Sequence, residues 1–430
     1  MKAVKVGILG IGNVAKGTYR TLELNCEKIK ANTGVCIEIT KILNRNPEKD
    51  RGIDIPQNVY VTDPYDIIND SEIDIVVELI GGIEPATEFM AASLSNRKHV
   101  VTANKAAIAK NGHKLQKLAE DNHVMLRFEA SVAGGIPIIN AITTALLSNE
   151  IDGILGIMNG TTNYILTQMT DCNKDYESVL RDAQEKGFAE RDPSGDVKGY
   201  DVANKLSILM SLIFGVEIQP EDIPTQGITD ITKDDIDFAT HFGYKIKLLA
   251  AAGMVGNTVE CNVQPALVSE NHPLASVNNE FNAIFLKGNA VDDLMFYGKG
   301  AGPLPTGSAV MGDIIEIAKA IDKDAAFDLQ PLLKYDSKLK FTGEGVNQYY
   351  IRMTAADMPG VLGNISSTFG KYNVGIESMI QNSAGISPND TVPLIFIVYE
   401  INRTVLDKAL NEILSNKYAV SVDSVMRVER

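Results

Sequence analysis

The sequence predicts an α/β protein with a Rossmann-type doubly wound parallel sheet, an α+β domain after it, and a C-terminal ferredoxin-like βαββαβ domain. Over residues 1–150, short apolar runs of strand length alternate with helical segments, which predicts repeated βαβ units. The pattern changes over 151–306, and the order βαββαβ follows over 348–430. Because 430 residues are too many for one hydrophobic core, we expect three domains, with about 307–330 completing the first.

The first predicted strand runs into a glycine-rich turn. Val4–Leu9 is apolar, and Gly10-Ile11-Gly12-Asn13-Val14-Ala15 leads from it into a helix that we expect to reach about residue 27. Gly10 permits the tight turn, Gly12 lets the backbone approach a pyrophosphate, and Ala15 lets the helix pack on the strand. Since the start of a helix also attracts phosphate, the turn predicts a dinucleotide site.

The residues after the second predicted strand, at 36–43, bear on the choice of dinucleotide. A site that prefers NAD usually has an acid here for the ribose 2′-hydroxyl, but this chain has Asn44-Arg45-Asn46. A guanidinium suits a 2′-phosphate, so the sequence favours NADP over NAD. The alternative is that Arg45 is a solvated loop residue.

Two later strands end in residues suited to chemistry. Predicted strands at 73–80, 100–103 and 124–129 complete the sheet, whose carboxyl ends should hold the cofactor. Lys105 follows the second of them, with a helix-start lysine that faces water as the alternative. Glu129 ends the third, and the irregular run to Pro137 offers oxygens that can bind a hard cation; the alternative is an ordinary strand-to-helix turn.

Between 151 and 306, polar residues cluster at two helix starts. A predicted strand at 151–158 ends in the run from Asn159 to Asn163, whose N–H groups and hydroxyls make a natural carboxylate seat. Farther on, a turn at Gly187 presents Glu190. Asp201 then opens an apolar helix that carries Lys205 on the same face, at the margin of a buried surface. A lysine placed there can exchange a proton near neutrality; the alternative is a helix cap with a surface salt bridge.

A second glycine-rich loop follows three strand-like runs at 258–268, 283–291 and 294–297, which favour an antiparallel sheet. Gly298-Lys-Gly300-Ala-Gly302 precedes a helix near 310–320. Because glycine permits hinges and close backbone approach, we expect this loop to return the chain to the cofactor domain, beside the nicotinamide.

Composition restricts the compartment and the partners. A formal net charge of -15 argues against nucleic acid or an anionic membrane as the main partner. The four cysteines lack the spacing of a zinc site or a disulfide framework and indicate reduced thiols. With no signal peptide and no apolar run of membrane-spanning length, we expect a cytoplasmic protein.

The spaced motifs resemble homoserine dehydrogenase over residues 1 to about 330. The motifs that carry this resemblance, in chain order, are Gly10-x-Gly12-x-x-Ala15, Thr-Ala-Asn-Lys105, Glu129-Ala-x-Val-Ala-Gly-Gly-Ile-Pro137, Asn-Gly160-Thr161-Thr-Asn-Tyr-Ile-Leu166, Gly187-Phe-Ala-Glu190-x-Asp-Pro-x-x-Asp196, Asp201-x-x-x-Lys205 and Gly-x-Gly-Ala-Gly302-x-x-Pro-Thr306. The last domain resembles an ACT domain, a small module that binds amino acids at subunit interfaces, with Asp357-x-Pro-Gly360-Val-Leu at its ligand loop.

The resemblance implies the NAD(P)H-dependent reduction of L-aspartate 4-semialdehyde to L-homoserine in threonine, methionine and isoleucine biosynthesis. It implies that 151–306 is the substrate-binding and dimerisation domain, that Lys205 is the proton donor and that Lys105 assists beside the nicotinamide. The implied cofactor residues are Gly10, Ile11, Gly12, Asn13, Val14, Arg45, Ile80, Thr102, Lys105 and Gly302. The implied substrate residues are Gly160, Thr161, Gly187, Glu190 and Asp201. A monovalent cation, sodium in most relatives, maps to Glu129 and to the backbones of Val132, Gly134 and Ile136.

The ACT resemblance implies feedback control, with threonine as the expected effector, in a homodimer or homotetramer. The alternative is a module that only dimerises. Two other functions compete with the main hypothesis. A phosphorylating semialdehyde dehydrogenase would need a nucleophilic cysteine near the nicotinamide, and no cysteine has that setting. An amino-acid sensor on a non-catalytic dehydrogenase scaffold predicts loss of the lysines, yet Lys105 and Lys205 are both present.

Overall fold

The structure is a computed structural model that describes residues 3–46, 48, 51–322, 333, 339–343, 345–381 and 391–430. Its strands are β1 (Val4–Leu9), β2 (Ile37–Leu43), β3 (Tyr60–Val61), β4 (Ile75–Glu78), β5 (His99–Thr102), β6 (Leu126–Arg127), β7 (Ile151–Ile157), β8 (Tyr244–Val255), β9 (Thr258–Ser269), β10 (Phe281–Gly288), β11 (Asp292–Lys299), β12 (Lys340–Thr342), β13 (Val346–Ala356), β14 (Ile376–Gln381), β15 (Thr391–Asn402) and β16 (Ser421–Glu429).

The helices are α1 (Asn13–Thr33), α2 (Tyr65–Ile68), α3 (Ala86–Ser95), α4 (Lys105–Asp121), α5 (Ile138–Asn140), α6 (Gly160–Cys172), α7 (Tyr176–Glu185), α8 (Ser194–Val197), α9 (Tyr200–Phe214), α10 (Lys233–His241), α11 (Pro303–Asp322), α12 (Val361–Lys371) and α13 (Arg403–Ser415). Helix α1 continues past the predicted end near 27 because its first strong stop is Gly34, which takes the left-handed conformation at the C-cap. None of the helices in the described ranges is both long and apolar enough to cross a membrane.

The first of two compact units consists of Met1–Asp152, Asn204–Asp222 and Asn282–Leu339 and contains a parallel sheet in the order β3-β2-β1-β4-β5-β6. This is the classic doubly wound order, so the predicted fold class is confirmed. Strands β1 and β4 are neighbours, although they lie far apart in sequence. The chain leaves them toward opposite sides, and the crevice that this opens at their carboxyl ends is where such folds bind ligands.

Helices α1 and α11 pack together unusually closely. A Cβ built on Gly17 would lie 1.8 Å from the carbonyl oxygen of Pro303, and one built on Gly307 would lie 2.3 Å from the carbonyl carbon of Gly17. Only glycine fits at either position. The interior side of α11, with Val310, Ile314 and Ile317, is buried in the same core as β1 and β2. Residues 323–330, which belong to the predicted completion of the first domain, lie outside the described part.

The second compact unit consists of Gly153–Ala203, Ile223–Phe281 and Lys340–Arg430. Its sheet is mixed, with the order β7-β8-β9-β16-β13-β15-β14 and with β12 also paired to β9. The predicted βαββαβ order is present in β13, α12, β14, β15, α13 and β16. Strand β16 pairs in parallel with β9 from Arg427 to Glu429, so the C-terminal module shares one sheet with the preceding segment. The three predicted domain boundaries stay a prediction.

Candidate active site

The glycine-rich turn after β1 has an open helix start. Gly10 has φ +108°, and a Cβ there would lie 2.9 Å from the carbonyl oxygen of Leu79. Gly12 is the N-cap of α1 and makes no side-chain cap hydrogen bond, and a Cβ built there would have no heavy atom within 4 Å. The start of α1 therefore has no capping side chain and leaves room beside Gly12, which suits a phosphate. Ile11 is buried in the turn, and Asn13 and Val14 form the first helical residues.

A buried carboxylate joins two of the predicted cofactor loops. Glu78, at the end of β4, is fully buried; its Oε1 accepts hydrogen bonds from the N–H groups of Ile80 (2.7 Å) and Gly81 (3.2 Å). Its Oε2 accepts from the Thr102 hydroxyl at 2.7 Å. Sequence analysis missed Glu78, although an acid that ends an apolar strand was a usable signal. Glu78 therefore fixes both the backbone of Ile80 and the side chain of Thr102.

Lys105 is the first residue of α4 and is half-buried. The preceding Asn104 caps this helix by accepting from the N–H of Ala107 at 3.1 Å, and its Nδ2 donates to the carbonyl of Gly82 at 2.6 Å. The backbone of Lys105 is thus fixed just beyond the carboxyl end of β5, as predicted.

The end of β2 carries a second arginine besides Arg45. Arg45 is exposed, whereas Asn44 is buried and accepts from Nη2 of Arg51 at 2.7 Å. Nδ2 of Asn44 and Nε of Arg51 are buried without a hydrogen-bond partner among the described residues. Such polar atoms are costly unless a ligand or water satisfies them. Sequence analysis missed Arg51 because it lies eight positions beyond Leu43, the last residue of β2.

The loop after β6 contains the predicted cation residues. The Glu129 carboxylate accepts from the N–H groups of Ile139 (2.9 Å) and Asn140 (2.6 Å), so backbone donors already occupy both of its oxygens. Ala133 and Gly134 take φ values of +53° and +55°, a left-handed turn that redirects the loop carbonyls. Val132 and Ile136 are buried. Each carboxylate oxygen keeps a second lone pair, so a cation here would be held by Glu129 together with the backbone oxygens of the turn.

An acidic cavity of about 290 Å³ adjoins this loop. The Asp313 carboxylate accepts from the N–H of Glu129 at 2.9 Å, and Arg127 pairs with Glu316 at 2.9 Å. Burial raises the pKa of Glu129 to about 7 and raises the pKa of Asp313 well above its ordinary value. Among the described residues, no group of three His, Cys, Asp or Glu side chains has a geometry suited to a metal ion.

Gly302, in the second glycine-rich loop, has φ +115°.

In the second unit, Asn159 organises the predicted carboxylate seat. Its Nδ2 donates to Asp201 at 2.9 Å and to Asp196 at 2.7 Å, while its Oδ1 accepts from the N–H of Thr162 at 2.9 Å. Asn159 thereby caps α6 and orients the carboxylate of Asp201. Gly160 begins α6 directly after this cap.

The turn at Gly187 lies beside the same helix. Gly187 has φ +76°, and the Thr161 hydroxyl donates to the carbonyl of Phe188 at 2.6 Å. Glu190 lies in the following loop with an exposed side chain, and Gln184 donates to its carbonyl at 3.0 Å. Four predicted substrate residues, Gly160, Thr161, Gly187 and Asp201, are therefore linked through α6, and Glu190 follows them in an open position.

Helix α9 carries both members of the predicted acid-base pair. Asp201 and Lys205 are each only 7% exposed. The surface salt bridge that was the alternative reading is therefore wrong, because a surface pair would be solvated. A buried lysine is typical of functional sites, where its charge must have a partner or a task.

Comparison with known proteins decides the family. The profile of the homoserine dehydrogenase family matches residues 137–315, the profile of its NAD-binding domain matches 10–129, and the ACT domain profile matches 349–417. The homoserine dehydrogenase of Bacillus subtilis is 37% identical over 430 residues, which covers 100% of this chain and 99% of that protein. The chain belongs to the homoserine dehydrogenase family. It is an NAD(P)-dependent oxidoreductase.

Other homoserine dehydrogenases agree with this assignment. The Synechocystis protein is 38% identical, with 99% of both chains covered. The crystal structure of the homoserine dehydrogenase from Thiobacillus denitrificans has a TM-score of 0.93 at 36% identity and covers 100% of this chain and 99% of its own. A hyperthermophilic archaeal homoserine dehydrogenase in complex with NADPH has a TM-score of 0.63 at 25% identity, over 74% of this chain and 98% of that one.

The ACT domain of this family member has its own cavity, of about 320 Å³, beside the predicted ligand loop. Gly360 has φ +91° and is the N-cap of α12, so this helix start has no capping side chain. Asp357, in the same loop, also lines the cavity and accepts from Nε2 of Gln381 at 3.2 Å. A helix start and a carboxylate can together bind the two charged groups of an amino acid.

Proposed function

We propose that the protein catalyses the reversible NADPH-dependent reduction of L-aspartate 4-semialdehyde to L-homoserine. The observation that carries this proposal is the arrangement of residues along α9. Asn159 donates to the carboxylate of Asp201, and the buried Lys205 follows Asp201 one helical turn later. No observation specifically favours an amino-acid sensor without catalysis.

Each residue has a chemical task in this reaction. The nicotinamide supplies a hydride when it is bound. Lys205 donates a proton to the carbonyl oxygen, which would otherwise become an unstable alkoxide, and it accepts that proton in the reverse direction. Lys105 assists at the carboxyl end of β5. Asp201 and Glu190 bind the substrate ammonium. Gly160, Thr161 and Gly187 line the place of its carboxylate, for which the backbone N–H groups of Gly160 and Thr161 are the donors.

NADP is the proposed cofactor, with NAD as the alternative. Arg45 and Arg51 both lie at the end of β2, where the ribose 2′-position of a bound dinucleotide is expected. The buried donors of Asn44 and Arg51 that have no partner in the described chain support an anionic ligand here. Gly10, Ile11, Gly12, Asn13 and Val14 would hold the pyrophosphate, and Ile80, Thr102 and Gly302 would lie nearer the nicotinamide.

A monovalent cation is proposed for the loop after β6, with sodium as the first candidate because it prefers oxygen ligands. The left-handed turn at Ala133 and Gly134 supports this, because it changes the direction of successive carbonyls within a short loop. The ligands would be Glu129 and the backbone oxygens of Val132, Gly134 and Ile136. The Glu129 carboxylate would also fix the start of α5.

The ACT cavity is the proposed site of feedback control by an amino acid, with threonine as the first candidate. The start of α12 at Gly360, which has no capping side chain, and the carboxylate of Asp357 in the lining of the same cavity support an amino-acid ligand. A threonine-insensitive enzyme whose ACT variant Gly360→Val is also unchanged would favour a module that only dimerises.

We further propose a homodimer or homotetramer in the cytoplasm. Among the described strands of the second unit, β14 is the last in its sheet, and the edge of such a strand can pair with a second copy. The four cysteines are free thiols, which supports a reducing compartment. Light scattering of the purified protein would measure the oligomeric state.

The decisive experiment measures NADPH oxidation with aspartate semialdehyde. Loss of the general acid in Lys205→Ala should lower kcat by about 10²–10⁴-fold, while the exposed control Lys198→Ala should leave it unchanged. Wild-type protein without activity would contradict the proposed reaction. Full activity in a folded Lys205→Ala variant would contradict only the role of Lys205.

A further inference from the structure

A second buried lysine lies in the same unit as the carboxylate seat. Lys247, on β8, is 2% exposed, and its Nζ donates to the carbonyl of Val277 at 2.6 Å. It also donates to Oδ1 of Asn163 at 3.2 Å and to Oδ1 of Asn278 at 3.3 Å. An ammonium has three donors and no acceptor, and these contacts supply three neutral oxygen acceptors. Each of the three N–H donors of a charged lysine therefore has one oxygen acceptor at this site.

The contact with Asn163 fixes the orientation of that amide. Because Oδ1 accepts from Lys247, Nδ2 must point the other way, where it meets the carbonyls of Val277 (3.1 Å), Asn279 (2.9 Å) and Phe281 (3.1 Å). Lys247 and Asn163 thus both hold the segment 277–281 and share the carbonyl of Val277 as an acceptor. Without the ammonium, the amide would lose the interaction that selects its orientation.

The segment 277–281 packs directly on the start of α6. A Cβ built on Gly160 would lie 2.7 Å from the carbonyl oxygen of Glu280, and the N–H of Asn279 donates to the Thr167 hydroxyl at 3.0 Å. Gly160 is already as close to this segment as a residue can be. A shift of the segment by a few tenths of an ångström would therefore move Gly160 and, with it, the N–H groups of Gly160 and Thr161.

The ammonium is expensive to bury. Burial and, to a smaller extent, the nearby charge of Lys245 lower the pKa of Lys247 to about 7, against the opposing effect of the charge of Asp171. An apolar residue of similar length would avoid this cost. A buried charge that makes three hydrogen bonds to a loop next to a binding seat is better explained by positioning than by stability.

We propose that Lys247 is a positioning residue: through Asn163 it fixes the segment 277–281 and thereby the N–H groups of Gly160 and Thr161 that receive the substrate carboxylate. This inference rests on the proposed role of Gly160 and Thr161. Lys247 itself touches neither the substrate nor the cofactor.

The test compares Lys247→Met with Lys245→Met, a half-buried lysine two residues earlier on the same strand. We expect the KM for aspartate semialdehyde to rise about tenfold in Lys247→Met, as for the loss of one charge-assisted hydrogen bond. The KM for NADPH should change by less than about twofold, because the residues proposed to bind the cofactor lie elsewhere. Lys245→Met should leave both constants unchanged.

A double-mutant cycle tests the route through Asn163. If Lys247 acts through this amide, the double variant Lys247→Met, Asn163→Ala should have a KM for aspartate semialdehyde no higher than that of the more impaired single variant. Asn278→Ala removes one acceptor at a half-buried position and should raise the KM for aspartate semialdehyde by a smaller factor; it also covers the case in which Lys247→Met fails to fold.

Two results would overturn the inference. One is an unchanged KM for aspartate semialdehyde in both folded Lys247→Met and Asn278→Ala. The other is an equal rise of both KM values, which indicates a general loss of structure. An inactive wild-type protein would instead overturn the proposed reaction, so the two failures are distinguishable.

Discussion

Replacing Arg352 by methionine should unfold the second unit at much lower urea concentration. Arg352, on β13, donates to the Asp235 carboxylate through Nε at 2.8 Å and through Nη2 at 3.1 Å. Asp235 is completely buried at the start of α10. The C-terminal module is therefore joined to α10 by a buried ion pair in addition to the pairing of β16 with β9.

The expected loss follows from the other partners of Asp235. The carboxylate also accepts from the N–H of Thr232 (3.0 Å), from its hydroxyl (2.8 Å) and from the hydroxyl of Tyr350 (3.2 Å). Removing one member of a buried pair costs about 3–5 kcal/mol. Because three neutral donors remain on Asp235, we expect the lower end, about 3 kcal/mol.

The assay is urea unfolding of the full chain, followed by circular dichroism and analysed by midpoint and slope. Lys174→Met is the control, because it breaks an exposed pair with Asp182 at 2.7 Å and should cost less than about 1 kcal/mol. Asp235→Asn should restore part of the loss in the Arg352→Met background. A loss in Arg352→Met no larger than that in Lys174→Met would refute the reasoning.

Three other measurements test separate parts of the molecule. Gly17→Ala should destabilise the first unit by about 2–3 kcal/mol, since its Cβ would lie 1.8 Å from a backbone oxygen; Gly312→Ala, with open space around its Cβ, should be neutral or stabilising in the same urea assay. The pKa of Lys247 is about 7 in the folded protein and 10.5 in the unfolded chain, so between these values the unfolded chain binds more protons at this residue. The free energy of unfolding should therefore rise by roughly 2 kcal/mol from pH 7 to 9. Lys247→Met should abolish this rise. Arg51→Ser should weaken NADPH binding by about tenfold, as for one lost charge-assisted contact, and leave NADH binding unchanged; equal losses for both cofactors would contradict a 2′-phosphate contact.

The features that could be predicted from the sequence have local causes. The turn at Gly10 is set by its own φ and by the strand before it, and the βαββαβ order follows from periodicity alone. Glu129 and Lys105 follow strands in the sequence, so their places at the carboxyl edge of the sheet could be inferred without knowing any partner.

The features that were missed depend on distant partners. Strand β8 contains an alanine-rich run that by itself favours a helix, but pairing along its whole length with β9 makes it a strand. Lys247 finds its acceptors 30 and 84 residues away. The role of Glu78 is visible only once β4 and β5 are neighbours. None of these relations leaves a pattern within a short window of sequence.

The parallel contact of Arg427–Glu429 with β9 has a consequence for biosynthesis. These residues are synthesised about 160 residues after the strand that they join, by the register of Val428 with Leu267. Until then that edge of β9 lacks this partner and is exposed to pairing with other nascent chains. A stop codon in place of Arg427 should therefore lower the yield of folded protein.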